Sequence, residues 1–279
     1  MSGAVLVLFF GRVVAKGAAE VMQSLYREVP SDYEATYRHF SRQGCRVLAL
    51  GHKILPPLTS EERRNIRSWS RTSVESDLVF AGFLILQCPM KTGSAAAVRA
   101  LLDSSHRVVM ITGDHTLTAC SVAKELGIAS KPLLVLTHTL AANEVKWVAI
   151  DDEKESAFDI RESELRSLQE TKDLCVSGEA LDWLTKNKSI DVSRIGRLVT
   201  FVAVFARASP DQKEFVLTWL KKNGFTTLMC GDGTNDVGAL KQAHIGVALI
   251  GGEGVPTGAR GVSKPGGPRQ GVPLIQHGG

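Results

Sequence analysis

Three short stretches of this chain hold residues suited to gripping phosphate and a divalent cation. The first is Gly231-Asp232-Gly233-Thr234-Asn235-Asp236. It follows an apolar run, Phe225 to Cys230, that reads as a buried strand, and it leads into a helix pattern with apolar Val237 and Leu240. Acidic residues in the loop at the carboxyl end of a parallel strand are where α/β folds place ligand chemistry. Asp232 and Asp236 offer hard oxygens suited to Mg²⁺, and Asn235 offers an amide for a phosphate oxygen. The two glycines let the backbone turn tightly beside a ligand. A plain strand-turn-helix with an Asx turn and a cap would not need this crowding of two Asp, one Asn and two Gly.

The second stretch, Thr112-Gly113-Asp114, closes the apolar run Arg107 to Ile111. Alone it reads equally well as a common turn. The third is Lys213, just inside a helix that opens with Ser209-Pro210-Asp211-Gln212. Alone it reads as a solvated helix lysine. Taken together, at strand ends of one expected sheet, they match what phosphoryl transfer requires. A hydroxyl and backbone amides hold the equatorial oxygens, a lysine neutralises charge, and carboxylates hold Mg²⁺.

The elements that must position these residues alternate between strand and helix patterns. Residues 1–77 are expected as a first unit: a strand over Val5–Val14, a helix over Ala18–Glu28, and a second helix over Asp32–Gln43 with Tyr33, Tyr37 and Phe40 at helical spacing. Gly44 ends that helix, Arg46–Gly51 follows as a strand, and Pro56-Pro57 breaks the chain before a charged helix capped by Thr59 or Ser60. Residues 78–250 are expected as a second unit. There Leu78–Gln87 reads as a strand covered on both faces, Ser94–Leu102 and Thr116–Leu126 as helices, and Gly127 as a left-handed C-cap. From Ala129 to Arg197 the pattern weakens to two short apolar runs, Leu133–Leu136 and Val145–Ile150, around an acidic middle read as a solvated helix or insert. Val199–Phe205 is again a strand. Ser209, Pro210 and Gln212 then supply an N-cap, a first-turn proline and a capping-box partner. The expected fold class is therefore α/β, a doubly wound parallel sheet. Residues 251–279 are rich in Gly and Pro without apolar periodicity, and are expected to be a disordered tail.

Composition narrows the classes. The chain has 279 residues, 44% of them hydrophobic and 22% charged, with a net charge of +4. Its Lys and Arg are scattered and not interleaved with aromatics, which argues against a nucleic-acid partner. The five cysteines have no metal-ligand spacing and are expected as reduced thiols. No stretch approaches the roughly 18 to 20 apolar residues of a membrane helix.

The wording of the motifs goes further. Met110-Ile111-Thr112-Gly113-Asp114, Phe205-Ala206-Arg207-Ala208-Ser209-Pro210-Asp211-Gln212-Lys213 and Gly231-Asp232-Gly233-Thr234-Asn235-Asp236 resemble three signatures of the P-type ATPases, a branch of the haloacid-dehalogenase-like superfamily. Lys16-Gly17-Ala18-Ala19-Glu20 is similar to the nucleotide-domain Lys-Gly-Ala-Pro-Glu motif, with Ala19 in place of proline, and Arg46 in Cys45-Arg46-Val47-Leu48-Ala49 matches a second ATP-contacting segment. Cys88-Pro89-Met90-Lys91 stands where most of the family has Asp-Pro-Pro-Arg, a form similar to the type V subfamily and its endoplasmic-reticulum branch. The resemblance covers about residues 13–250.

It implies the C-terminal part of an α+β nucleotide-binding domain followed by most of a haloacid-dehalogenase-like phosphorylation domain. ATP and Mg²⁺ are the implied cofactors. Lys16 and Arg46 would contact the nucleotide, and Thr112 and Gly113 would hold the transferred phosphoryl group. Asp114 would position nucleotide at the domain hinge, with Arg207 and Lys213 supporting phosphate charge. Asp232 and Asp236 would hold Mg²⁺, with Asn235 completing the phosphate site. His115 replaces the family's usual Asn. The parent would sit in the endoplasmic reticulum membrane with these domains on the cytosolic face. It would work with actuator and membrane domains to dislocate transmembrane helices or transport cations.

The family's phosphorylated aspartate opens an Asp-Lys-Thr-Gly-Thr motif, and these 279 residues contain none. Met90-Lys91-Thr92-Gly93-Ser94 has a thioether at the nucleophile position, and Asp151-Asp152 falls after Thr112, not before it. The expectation is a fragment or truncated isoform, inactive alone, whose sheet lacks its middle strand. A soluble phosphatase of the same superfamily is the rival enzyme reading, although the Asp-x-Asp pair it requires is absent. A non-catalytic nucleotide-binding truncated isoform is the rival non-enzymatic one.

Overall fold

The computed structural model describes residues 5–9, 12–57, 59, 64–65, 68–70, 74–87, 89–139, 142–249 and 274–277, with backbone only for 5–9 and 274–277. Ser60, Cys88 and most of the Gly/Pro-rich segment lie outside the described residues. The chain divides into two compact units, Met1–Val108 with Asp114–Ser130, and Val109–Gly113 with Lys131–Gly279.

The first unit is built on an antiparallel sheet in the order β1 (Val5–Phe9), β2 (Arg12–Ala18), β3 (Arg46–Ile54), β4 (Val79–Leu86). Strict alternation drives β2: Val13, Ala15 and Gly17 are buried while Arg12, Val14 and Lys16 are exposed. The buried face carries α1 (Ala19–Met22) and α2 (Tyr33–Arg42), whose Tyr33 and Tyr37 are buried on one helical stripe as their spacing predicts. Two further helices, α3 (Ser94–Asp103) and α4 (Thr116–Glu125), complete this unit. Gly127 takes φ +75° just past α4, the left-handed stop expected of it.

Leu78–Gln87 does not open the second unit. As β4 it pairs antiparallel with β3, and most of its residues are exposed or half-buried instead of covered on both faces. A bulge opposite Leu50 and Gly51 explains the misleading pattern. It turns both Phe80 and Phe83, three apart, toward the aromatic cluster of Tyr26 and Tyr33. Gly82 absorbs the distortion at φ +131°.

The second unit has a six-stranded sheet in the order β5 (Met110–Ile111), β10 (Val202–Ala206), β9 (Asp173–Ser177), β6 (Leu133–Thr139), β7 (Glu144–Ala149), β8 (Glu155–Ala157). The first four strands run parallel, and β7 and β8 return antiparallel. Around it lie α5 (Glu162–Thr171), α6 (Gly178–Lys186), α7 (Val192–Val199) and α8 (Pro210–Lys222). Their apolar faces bury Leu165, Leu181, Ile195 and Val216 with Leu174 and Phe205 of the sheet in one core. At roughly 2 kcal/mol per fully buried large apolar side chain, this core is the main stabilising element of the unit.

A separate three-stranded sheet holds β11 (Leu228–Gly231), β12 (Ile245–Ala248) and β13 (Leu274–His277). Between β11 and β12 lies α9 (Val237–Gln242). The expectation that all three site loops hang from one sheet is therefore corrected. Among the described residues β5 is hydrogen-bonded to β10 alone and β11 to β12 alone, and no described strand joins them. β11 is also less buried than its apolar run suggests, with Leu228 and Cys230 exposed and only Met229 buried. Within the tail expected to be disordered, Leu274–His277 pairs antiparallel with β12. Leu274-Ile275-Gln276 is the one short strand-forming run after residue 250.

Candidate functional site

In the second unit the site grows from the start of α8. Ser209 caps that helix by accepting the Gln212 N–H on its hydroxyl oxygen, and the Gln212 side-chain Oε1 accepts the Ser209 N–H at 2.9 Å, so the capping box read from sequence forms. The Gln212 amide also donates to Gly178 O at 2.8 Å and to Asp182 Oδ1 at 2.6 Å, tying α8 to the start of α6. Gly178 is required there, because a Cβ would fall 2.2 Å from Arg207 O. Arg207 itself adopts φ +55°, and burial lowers the pKa of its guanidinium.

The same segment fixes Thr112. Its N–H donates to Phe205 O at 2.8 Å and its carbonyl accepts from Ala208 N at 2.9 Å. Thr112 is thus held one residue from the α8 cap, where helix amides and the macrodipole favour an anion. Gly113 leaves this approach open, since a Cβ on it would only reach van der Waals distance of Ala208 O.

One turn into α8, the Lys213 ammonium donates to Asp236 Oδ1 at 2.6 Å. Both side chains are about nine-tenths buried, at 10% and 11% exposure. The other Asp236 oxygen accepts the Gly233 N–H at 3.3 Å, which closes the loop after β11. Gly231 has no room for a side chain, as a Cβ would lie 2.8 Å from the Asp236 side chain. Asp232 and Asn235 are exposed. Partial burial first, then the carboxylates of Asp232 and Asp236, push the Cys230 thiol up, so both charges reach the end of β11. The structure therefore brings Lys213 to Asp236 and Thr112 to the α8 cap.

Mg²⁺ is satisfied by one or two carboxylates together with phosphate oxygens and water. Asp232 fits this, with its oxygens facing solvent. Asp236 could contribute only by sharing a carboxylate already engaged by Lys213 and Gly233. Among the described residues no group of three or more His, Cys, Asp or Glu gathers as a metal cage.

In the first unit, Lys16 and Arg46 project from the uncovered face of the sheet. Lys16 lies opposite Leu50, and Arg46 is four residues back along β3, a separation of roughly 13 Å along the strand. Leu48 and Leu50 lie between them, half-buried on the same face. Asp114 precedes α4, with its Oδ1 3.9 Å from Arg46 Nε.

The decoy acids lie elsewhere. Asp151 and Asp152 follow β7, which runs antiparallel to β6, so they sit at the opposite end of the sheet from Thr112. Sequence reasoning missed the contributions of Gly178 and Asp182, which brace the α8 cap. Only the buried five-residue strand before Gly178 could have revealed them.

Comparison of the sequence with known proteins adds a family to this geometry. The chain belongs to the P-type ATPases. It is 48% identical over 85% of its length to an "Endoplasmic reticulum transmembrane helix translocase" of Schizosaccharomyces pombe and 49% identical over 84% to a "Probable manganese-transporting ATPase PDR2" of Arabidopsis thaliana. It is 32% identical over 84% to a "Polyamine-transporting ATPase 13A3" of Mus musculus. The chain spans about a fifth of each relative, 19% of the first two and 20% of the third. No protein-family model matches it. Among the described residues no helix is long and apolar enough to cross a membrane.

Proposed function

We propose that this chain is a nucleotide- and Mg²⁺-handling segment of a type V P-type ATPase, from the branch that includes the endoplasmic-reticulum helix translocases. The parent would couple ATP hydrolysis to dislocation of transmembrane helices, or to cation transport. It would act in the endoplasmic reticulum membrane with these units on the cytosolic face. The buried Lys213–Asp236 pair carries the reading, because it couples the α8 amino end to the Gly231–Asp236 loop.

The first unit would be the C-terminal part of the nucleotide-binding domain. Its Lys16 and Arg46, flanking Leu48 and Leu50, suit an apolar base between two cations, and Asp114 would act beside Arg46. The second unit would be a haloacid-dehalogenase-like phosphorylation domain. There the Thr112 hydroxyl, the Gly113 amide, Asn235 and the Lys213 ammonium would orient and neutralise a phosphoryl group, with Arg207 in support. Asp232 would hold Mg²⁺, with Asp236 shared between Lys213 and the ion. When bound, Mg²⁺ supplies positive charge to the phosphate oxygens. No residue of this chain is assigned as the phosphoryl acceptor.

Calorimetric titration of the full chain tests this. Mg·ATP should bind saturably, Arg46→Ala should weaken it about tenfold, and Asp232→Asn should remove most of the Mg²⁺ dependence. No binding, or equal binding in all three proteins, contradicts the proposal.

A further inference from the structure

The start of α4 is held more firmly than a helix end requires. His115 occupies the N-cap in extended geometry, φ −57° and ψ 143°, and its Nδ1 accepts the Leu117 N–H at 3.3 Å. A histidine can accept there only as a neutral imidazole with its proton on Nε2. Its ring stands edge-on to Tyr37 of α2, with centroids 6.1 Å apart. Burial, with Arg38 nearby, lowers its pKa to about 4, so the accepting form prevails at neutral pH. One turn further on, the Thr118 hydroxyl donates to Cys45 O at 2.9 Å, the residue just before Arg46. The helix start is therefore tied both to α2 and to the residue that leads into β3. Asp114, the residue before the cap, sits beside Arg46.

We propose that His115 is a positioning residue: by capping α4 between Tyr37 and the start of β3 it holds Asp114 against Arg46, and so sets nucleotide affinity. This rests on the nucleotide reading above. Asp114 lies just outside the α4 ladder, so the cap that fixes the start of the helix also fixes where the chain leaves Asp114. The distinctive requirement is an acceptor at position 115, which asparagine also provides and alanine does not.

The test compares Mg·ATP affinity of the unaltered full chain with His115→Ala and His115→Asn, alongside nitrogen NMR of the His115 ring. Alanine should weaken binding about tenfold, asparagine should restore it to within about threefold, and the ring should show an unprotonated Nδ1 at neutral pH. If the unaltered chain binds no nucleotide, the nucleotide reading falls and this proposal with it. If it binds but alanine leaves affinity unchanged, asparagine fails to restore it, or Nδ1 carries the proton, this proposal alone is overturned. His115→Asn keeps the cap, so the outcome stands even where the alanine protein folds poorly.

Discussion

Lys213 shows how one residue can be both ordinary in sequence and decisive in the fold. A lysine near a helix start is usually solvated, yet here its ammonium is buried against Asp236. Removing one partner leaves a charge without compensation in a site with little water, which costs on the order of 3 kcal/mol. Lys213→Met should therefore lower stability by about that amount in urea unfolding. Adding Asp236→Asn should recover part of the loss, a non-additivity that a double-mutant cycle reads directly. His115 makes a second prediction. Its pKa is lowered from 6.5 to about 4, so the unfolded chain binds more protons than the folded one between those values. Stability contributed by this group is thus present above about pH 6.5 and is lost as pH falls toward 4. After allowance for partial exposure of the ring, the loss is about 2 kcal/mol. The charged groups facing the ring are Arg38 on α2 and, one residue away, Asp114 with Arg46. Urea midpoints should fall less steeply over this range in His115→Asn than in the unaltered chain.

At the scale of elements, the start of α8 is where sequence and structure agree best. Ser209, Pro210 and Gln212 specify it by local chemistry, and local chemistry is what a single sequence displays. Strand β9 is the opposite case. Asp173–Ser177 is too short for any periodicity, yet it forms the middle of the parallel sheet and is buried from Leu174 to Ser177. β4 misled for a third reason. A bulge changes which side chains share a face, and only pairing with β3 reveals it. The loop after β11 was legible residue by residue, but its sheet was not, because strand order is set by long-range pairing. Gly178 makes the element-scale prediction. Alanine there would push against Arg207 O and loosen the junction of α6 with α8. Gly178→Ala should lower stability by roughly 2 kcal/mol and weaken Mg·ATP binding, whereas an alanine at solvent-exposed Lys186 should do neither.

For the molecule as a whole, four relatives match 84–86% of the chain while the chain spans 18–19% of each of them. Two strands that carry site loops, β5 and β11, each have a single described neighbour. Under the proposed function their loops would orient and neutralise phosphate, and neither would supply the phosphoryl acceptor. Exposing the full chain to Mg²⁺ and ATP labelled at the γ-phosphate tests that division most directly. Labelled nucleotide should bind and wash out on acid quenching, leaving no covalent label. Acid-stable label released by hydroxylamine would place an acyl phosphate on this chain and contradict the account.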